Sequence, residues 1–117
     1  MTDVVRRPPS GVPRAAWARL TLFQQTVYRA ACDIPAGQTR SYRWVAERIG
    51  RPGAARAVGG ALRRNPFAPI VPCHRVVRSD GTLGGYARGS ARKRTLLQQE
   101  GWRDPADARI VPRRLPC

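Results

Sequence analysis

Acidic residues are scarce in this chain, and the scarcity is its strongest compositional feature. Of 117 residues, 7 are Asp or Glu and 22 are Lys or Arg, which gives a net charge of +15. An excess of this size favours a polyanionic partner, with nucleic acid first and an anionic membrane surface second. All of the cations except Lys93 are arginines, whose planar guanidinium donates two hydrogen bonds to a phosphate or a base edge. A GC-rich genome would explain the preference for arginine over lysine, but not the size of the excess.

The sequence also lacks long apolar runs and paired cysteine motifs. No stretch approaches the ~20 residues of a membrane span, and the N-terminus has no apolar core of a secretory signal. Cys32, Cys73 and Cys117 are widely spaced and odd in number, which indicates neither a disulfide framework nor a zinc site. We therefore expect a cytoplasmic protein that uses no metal.

Composition divides the chain, whose length corresponds to about one domain, into three parts. Residues 1–20 are rich in Pro and Arg, and we expect them to form a flexible basic arm. Residues 21–102 carry the periodic apolar pattern of a folded domain, and residues 103–117 form a basic C-terminal tail.

Helical periodicity predicts three helices in the first part of the folded domain. The first starts at the capping-box pattern of residues 21–24 and ends at residues 33–37. Ser41 caps the second helix, which ends at Gly50. The third covers roughly residues 54–64, and the apolar side chains expected to face the core are Ala57, Val58, Ala61 and Leu62.

The second and third predicted helices, joined by a Gly-containing turn, fit a helix-turn-helix motif. A structural helical hairpin would show the same pattern, so the pattern alone leaves both open. Together with the positive charge, it favours DNA binding.

The remainder of the domain is predicted to contain a β-hairpin and one more helix. Residues 76–78 and 82–83 flank Asp80-Gly81, which is a typical two-residue hairpin turn. A glycine-rich loop follows, but it lacks the strand–loop–helix setting of a phosphate-binding loop. Ser90 is predicted to cap a last helix that ends at Glu100. The expected fold is mostly α with a small β-hairpin, a winged-helix-like domain containing the helix-turn-helix.

The only histidine, His74, directly follows Cys73. A thiol is only a few per cent thiolate at neutral pH, and the thiolate is the nucleophile. An adjacent imidazole raises that fraction, so the pair is a candidate for nucleophilic catalysis. A buried, inert cysteine beside an unrelated histidine is the alternative.

Several motifs, in their order and spacing, resemble those of the O6-alkylguanine-DNA alkyltransferases, which repair DNA by direct reversal. The matching stretches are IPAGQT (34–39), SY (41–42), ARAVGGA (55–61), NP (65–66), PCHRV (72–76), GY (85–86) and EG (100–101). The resemblance implies that an alkyl group passes from O6-alkylguanine in double-stranded DNA to the protein. It also implies that the protein is consumed in the reaction and needs no cofactor.

The resemblance assigns a role to each of five catalytic residues. Cys73 would be the nucleophile, and His74 would act through a water as the base that generates its thiolate. Glu100 would orient and stabilise His74, although a solvated helix end is the alternative for this residue. Asn65 would brace the turn that leads into the active-site segment. Tyr42 would crowd the phosphate of the target nucleotide and donate a proton to the guanine ring.

The resemblance also implies how DNA is held. Arg56 would enter the base stack in place of the flipped base, which is required because an O6 substituent is inaccessible inside the duplex. Small residues would let the third helix approach the minor groove, where little sequence information is available. The residues assigned to DNA binding are Tyr42, Arg56, Ala57, Gly60 and Arg63, and those assigned to the base pocket are Leu62, Val76, Tyr86 and Ala87.

Two departures from the family pattern keep a second function open. Ala87 stands where some members carry serine, and the N-terminal domain that is common in the family does not precede residue 21. An alkyltransferase-like protein would flip and hold O6-alkylguanine and recruit nucleotide excision repair proteins without efficient transfer, although such proteins lack the cysteine. A basic architectural DNA-binding protein with an incidental thiol is a third alternative. In each case we expect a monomer associated with the bacterial nucleoid and not with membranes.

Overall fold

The mostly helical fold predicted from the sequence is confirmed by a computed structural model, which describes residues 7–80, 82–83 and 89–103. Its helices are α1 (Arg14–Ala18), α2 (Leu22–Cys32), α3 (Tyr42–Arg48), α4 (Ala55–Arg63) and α5 (Ser90–Gln99). A 3₁₀ turn covers Cys73–Arg75, and the strands are β1 (Arg40–Ser41) and β2 (Val76–Val77).

Helix α2 begins with the predicted capping box. The backbone N–H of Gln24 donates to the Thr21 hydroxyl at 3.1 Å, and the Thr21 N–H donates to the Gln24 side chain at 2.9 Å. Two of the N–H groups that a helix start leaves unpaired are thereby satisfied. The helix buries Val27, Tyr28 and Ala31, and it packs on both α3 and α4.

Helices α3 and α4 form the predicted helix-turn-helix. The Ser41 hydroxyl caps α3 by accepting from the Trp44 N–H at 2.9 Å, and Gly50 follows α3 with a φ of +79°. On α4, Val58, Ala61 and Leu62 are buried, as predicted. The prediction is wrong for Ala57, which is exposed. One residue turns a helix by about 100°, and this carries Ala57 out of the stripe defined by Val58 and Leu62.

The small sheet is not the predicted hairpin but a parallel pair of β1 and β2, with Arg40 opposite Val76 and Ser41 opposite Val77. A turn does form after β2, because the Arg78 N–H donates to the Thr82 carbonyl at 2.9 Å. The Asp80 carboxylate, however, takes both the N–H and the hydroxyl of Thr82. This local bonding competes with a strand ladder, and no strand follows the turn in the described residues. Gly81 lies outside them.

The interpretation of residues 1–20 as a flexible arm is wrong for residues 12–20. Trp17 on α1 is 1% exposed, and its ring centroid lies 6.3 Å from that of Tyr28 and 6.2 Å from that of Phe67. The Gln25 side chain also donates to the Trp17 carbonyl at 2.9 Å. A buried aromatic of this size contributes several kcal/mol of stabilisation, which holds the segment on the domain. Residues 1–6 and the tail residues 104–117 lie outside the described ranges.

Helix α5 begins one position earlier than predicted. Gly89 is its N-cap, with a φ of +94°, and the Lys93 N–H donates to the Gly89 carbonyl at 3.1 Å. Ser90 is therefore the first helical residue and not the cap, because the chain enters the helix through a left-handed conformation that favours glycine. At its other end α5 stops at Gln99, with Glu100 as the C-cap. No described helix is both long and apolar enough to cross a membrane.

Candidate active site

Cys73 lies in the 3₁₀ turn that leads directly into β2. The Cys73 N–H donates to the Val71 carbonyl at 2.8 Å, and the Arg75 N–H donates to the Pro72 carbonyl at 2.9 Å. Cys73 is 3% exposed and His74 is 1% exposed. The turn therefore holds the thiol and the imidazole in a desolvated environment, where electrostatic interactions are stronger than in water.

Glu100, at the C-terminal end of α5, reaches His74. The distance from His74 Nε2 to Glu100 Oε2 is 3.0 Å. The family resemblance implied this partnership across 26 residues, and the structure brings the two side chains together. A carboxylate only accepts hydrogen bonds, so Nε2 carries the proton in this contact, and Nδ1 is the basic nitrogen of the neutral ring.

Arg75 is a member of the same cluster to which sequence reasoning assigned no role. Its Nε donates to Glu100 Oε1 at 2.9 Å and its Nη2 donates to Oε2 at 2.6 Å, which makes a bidentate pair. Its Nη1 donates to the Ile34 carbonyl at 2.7 Å. The residue stood inside the PCHRV motif, but nothing local in the sequence indicates that it shares a carboxylate with His74.

These contacts set the protonation states of the cluster. Burial lowers the pKa of His74 from its usual value of 6.5, against the hydrogen bond and charge of Glu100. Burial alone would raise the pKa of Glu100, but hydrogen bonds from Arg75 and His74, with their charges, lower it to about 2. At neutral pH the site therefore holds a neutral imidazole against an ionised carboxylate, which is the arrangement of a general base.

A close backbone contact holds the end of α5 against the loop before β1. Gly37 has a φ of +87°, and a Cβ at this position would lie 2.8 Å from the Glu100 carbonyl oxygen. Any other residue would force the loop and the helix end apart. The same loop provides the Ile34 carbonyl that receives Arg75, so it supports both partners of the ion pair.

Asn65 forms hydrogen bonds within the segment between α4 and Cys73. It is 4% exposed, its Nδ2 donates to the Val71 carbonyl at 2.8 Å, and its Oδ1 accepts from the Phe67 N–H at 2.9 Å. The Tyr28 hydroxyl donates to the Ala61 carbonyl at 2.6 Å, which ties α2 to the end of α4. The segment that leads to Cys73 is thus connected to the helix-turn-helix through buried hydrogen bonds.

Lys93 on α5 is a second residue that sequence reasoning left without a role. It is fully buried, and its Nζ donates to the carbonyls of Val76, at 2.7 Å, and of Leu83. It also donates to the Tyr42 hydroxyl at 3.4 Å. Burial lowers the pKa of Lys93 to about 8. The charge of Arg78 contributes to this decrease, whereas the interaction with Cys73 opposes it. One sequence signal could have indicated a role for it, since Lys93 is the only lysine in an arginine-rich chain.

Tyr42 also lines a cationic cleft of about 350 Å³. Burial raises the pKa of Tyr42, although the charge of Arg63 lowers it. The Tyr42 ring packs closely on α4, since a Cβ added to Gly59 would lie 3.8 Å from it. Four arginines and small residues make this a surface suited to an anionic ligand. The lining residues are Tyr42, Arg43, Ala55, Arg56, Gly59, Arg63, Arg78 and Ser79.

The residues assigned to DNA and base binding are distributed over several places. Arg56, Ala57 and Arg63 are exposed on α4, where Gly60 is half-buried. Leu62 and Val76 are 3% and 0% exposed and belong to the hydrophobic core, not to the lining of the cleft. Their assignment to a base pocket stays a prediction. Tyr86 and Ala87 lie outside the described residues.

Comparisons with known proteins agree with this arrangement. The family model described as 6-O-methylguanine DNA methyltransferase, DNA binding domain, matches residues 22–102. A methylated-DNA--protein-cysteine methyltransferase of Mycobacterium tuberculosis is 57% identical over 89 residues, which are 76% of this chain and 54% of that protein. The chain therefore spans about half the length of this curated relative.

Two solved structures extend the comparison. The crystal structure of Mycobacterium tuberculosis OGT in complex with DNA matches with a TM-score of 0.68 at 57% identity, over 70% of this chain and 51% of that one. The crystal structure of S. pombe Atl1 in complex with damaged DNA containing O6-carboxymethylguanine matches with a TM-score of 0.64 at 36% identity. That match covers 71% of this chain and 79% of Atl1.

Proposed function

This chain belongs to the 6-O-methylguanine DNA methyltransferase family, and from that premise we propose that it repairs DNA by moving the alkyl group of O6-alkylguanine onto Cys73. The observation that carries the proposal is the contact of His74 with Glu100 at 3.0 Å, directly beside the buried cysteine. A nucleophile next to a base that a third group orients is the arrangement required for covalent catalysis.

Activation of the thiol begins at His74. Its Nδ1 takes the Cys73 proton, through a water, and the imidazolium that forms is stabilised by the Glu100 carboxylate. The bidentate contact from Arg75 helps to lower the pKa of this carboxylate to about 2, so it is ionised at neutral pH. Arg75 therefore acts on the reaction through Glu100, as a positioning residue.

The transfer step balances without another reactant. The thiolate sulfur attacks the alkyl carbon, an S–C bond forms, and the C–O6 bond breaks with its electron pair going to the guanine. The guanine then gains one proton from the Tyr42 hydroxyl, and the proton that His74 took from Cys73 returns through solvent to restore the phenol. Because a thioether is stable, the cysteine is not regenerated, and each molecule acts once.

The cleft beside Tyr42 is the proposed DNA-binding surface. Arg56 and Arg63 are exposed at the cleft, where they can contact phosphates. Arg56 would fill the stack when the damaged base leaves it. Gly59 and the small exposed Ala57 on α4 allow a close approach to the minor groove. The chain would act as a monomer on double-stranded DNA in the bacterial nucleoid, with low sequence preference.

A lesion-binding function without efficient transfer is the second candidate, and the similarity to Atl1 over 79% of that protein favours considering it. Under this alternative the chain would hold the flipped base and recruit nucleotide excision repair proteins. The retained Cys73, with its base and carboxylate in place, favours transfer instead.

Mass spectrometry separates the two functions. The protein is mixed with a duplex that contains one O6-methylguanine, and we expect the peptide that contains Cys73 to gain one CH₂ unit in mass, with the lesion converted to guanine. Cys73→Ala should take up no methyl group, whereas Cys32→Ala should behave as the parent protein does. Cys32 is the matched control, since its thiol is half-buried, its pKa is raised by burial, and no described carboxylate–histidine pair lies beside it. Lesion-selective binding without any mass gain would support the second candidate.

A further inference from the structure

We propose that Lys93 is a positioning residue for the transfer reaction: its ammonium group donates to the Tyr42 hydroxyl oxygen and thereby directs the phenol's own hydrogen toward the substrate. This inference rests on the proposed function, in which Tyr42 protonates the departing guanine. It gives that tyrosine a partner that fixes the direction in which it donates.

The burial of Lys93 needs an explanation, because a fully buried lysine is rare and costly. Its aliphatic stem could be replaced by leucine or methionine if packing were its only role. Instead, the ammonium is held in one place by the carbonyls of Val76, on β2, and Leu83. These two contacts hold a positive charge next to β2, the strand that follows the turn carrying Cys73.

The third oxygen near the ammonium belongs to Tyr42. Nζ lies 3.4 Å from the hydroxyl oxygen and 5.7 Å from the centre of the ring. An ammonium group has donors and no lone pair, so in this contact the phenol oxygen accepts. The phenol hydrogen then points in another direction. The contact is long without substrate, as catalytic hydrogen bonds commonly are, and we expect it to shorten as the oxygen gains negative charge.

Deprotonation of Lys93 would reverse the contact. A neutral amine has a lone pair, so the phenol hydrogen would donate to Nζ and be withdrawn from the substrate. Burial lowers the pKa of Lys93 to about 8, whereas burial raises that of Tyr42 above its usual 10. The charged groups that act on Lys93 are the Cys73 thiolate, which favours the ammonium, and Arg78, which disfavours it, while Lys93 in turn lowers the pKa of His74. The rate should therefore fall as the pH rises through about 8, although the higher pH favours the Cys73 thiolate.

Methyl uptake from the free O6-methylguanine base, under single-turnover conditions, tests this role without interference from DNA phosphates. The rate is measured across the pH range for the parent protein, Lys93→Met, Lys93→Arg and Tyr42→Phe. We expect Lys93→Met to be at least ~10-fold slower at neutral pH, as loss of assistance to a proton transfer implies, and to lack the alkaline decrease. In Lys93→Arg, the decrease should move to much higher pH, because arginine stays protonated.

A double-mutant cycle separates positioning from a purely structural role. If Lys93 acts through Tyr42, adding Lys93→Met to Tyr42→Phe should slow the reaction by less than about 2-fold. A slowing equal to that in the parent background would overturn the proposal, because it would mean that Lys93 supports the fold alone. If Lys93→Met does not fold, the pH profiles of the parent protein and Lys93→Arg still test the proposal. If the rates of both decrease over the same alkaline pH range, the proposal is overturned.

A spectroscopic measurement gives a readout that does not depend on activity. Since Lys93 is the only lysine of the chain, selective isotope labelling of lysine gives one side-chain resonance in an NMR spectrum. We expect this resonance to titrate near pH 8 in the parent protein, and its midpoint to shift in Tyr42→Phe. A midpoint at the ordinary value of 10.5 would overturn the proposal about Lys93 alone. Absence of methyl uptake by the parent protein would instead overturn the proposed transfer, and Lys93 with it.

Discussion

The cluster at Cys73 and the cleft lined by Tyr42 use positive charge in opposite ways. In the cluster at Cys73, the Arg75 guanidinium is largely buried and is matched by the Glu100 carboxylate in a bidentate pair. In the cleft, Arg56 and Arg63 are exposed, and within the described ranges neither forms an ion pair. Matched charges suit a site that controls proton positions, whereas unmatched charges at a surface suit the binding of a polyanion.

This difference predicts that chemistry and DNA binding are separable by mutation. Changes in the cluster should slow transfer from any substrate, including a free base. Changes to the exposed arginines of the cleft should affect only substrates that carry phosphates. The segment braced by Asn65 joins the two regions, so its loss should weaken the fold that holds both.

The largest effect is expected for Glu100→Gln, which removes the carboxylate but keeps the shape. Transfer should slow by roughly 10²-fold on duplex and free base alike, since general-base assistance typically contributes that much. The acid limb of the rate should also move to lower pH. The Glu100 hydrogen bond and charge raise the pKa of His74, so without them this pKa falls further and the imidazole stays neutral to lower pH.

Single-turnover rates against pH measure this prediction, with Glu47→Gln as the control. Glu47 is an exposed carboxylate that pairs with Arg43 at 3.5 Å on the surface of α3, away from the cluster. A slowing by Glu100→Gln on duplex alone would contradict the separation of the two regions.

Asn65→Ala should lower the free energy of unfolding by about 2–4 kcal/mol, because it leaves the buried Val71 carbonyl and Phe67 N–H without their partner. Urea denaturation monitored by tryptophan fluorescence gives this value. Gln38→Ala is the comparison, as it removes an exposed side-chain contact to Arg40 and should change stability by less than about 0.5 kcal/mol. Equal losses for both variants would show that the Asn65 hydrogen bonds stabilise the fold no more than an exposed contact does.

A smaller and more selective effect is expected for Arg56→Ala. Repair of well-paired duplex should fall by about 10-fold, since a flipped base leaves a gap whose cost is a few kcal/mol. Repair of the free base should be unchanged, because it requires no extrusion. Arg43→Ala, which lines the same cleft but has a carboxylate partner, should have a weaker effect. Equal losses on duplex and free base would place Arg56 in the chemistry instead.

The smallest effect is expected for Arg63→Ala, in the salt dependence of binding. Each phosphate contact contributes a slope of about −0.9 to the logarithm of affinity against the logarithm of salt concentration. Loss of Arg63 should flatten the slope by that amount for damaged and undamaged duplex alike, in a fluorescence anisotropy titration. Arg19→Ala, exposed and outside the cleft, should leave it unchanged. The same slope for both variants and the parent would remove Arg63 from the phosphate-binding surface.

Features that depend on neighbouring residues were predictable from the sequence. The capping box at Thr21, the cap at Ser41 and the stop at Gly50 each follow from chemistry within a few positions. The pairing of His74 with Glu100 was predictable only because the motifs resemble those of a known family.

Features that depend on distant segments were not predictable. Nothing in the Pro- and Arg-rich start of the chain indicates that Trp17 packs against Tyr28 and Phe67. Likewise, a turn-forming Asp-Gly predicts a hairpin, but it does not reveal that β2 pairs with β1. The roles of Arg75 and Lys93 were missed for the same reason, because their partners lie on other elements.

The parallel pairing of β1 with β2 has a consequence for how the protein folds. Arg40 and Val76 pair across roughly 35 intervening residues, and we expect such a contact to form late because closing the loop costs entropy before the pairing contributes stability. The local helices can form earlier, but Cys73 and Tyr42 are brought into register by this last closure. The chain should therefore have no reactive thiol–tyrosine pair until folding is complete. Partially folded molecules should bind DNA nonspecifically through their arginines, without alkylation of Cys73.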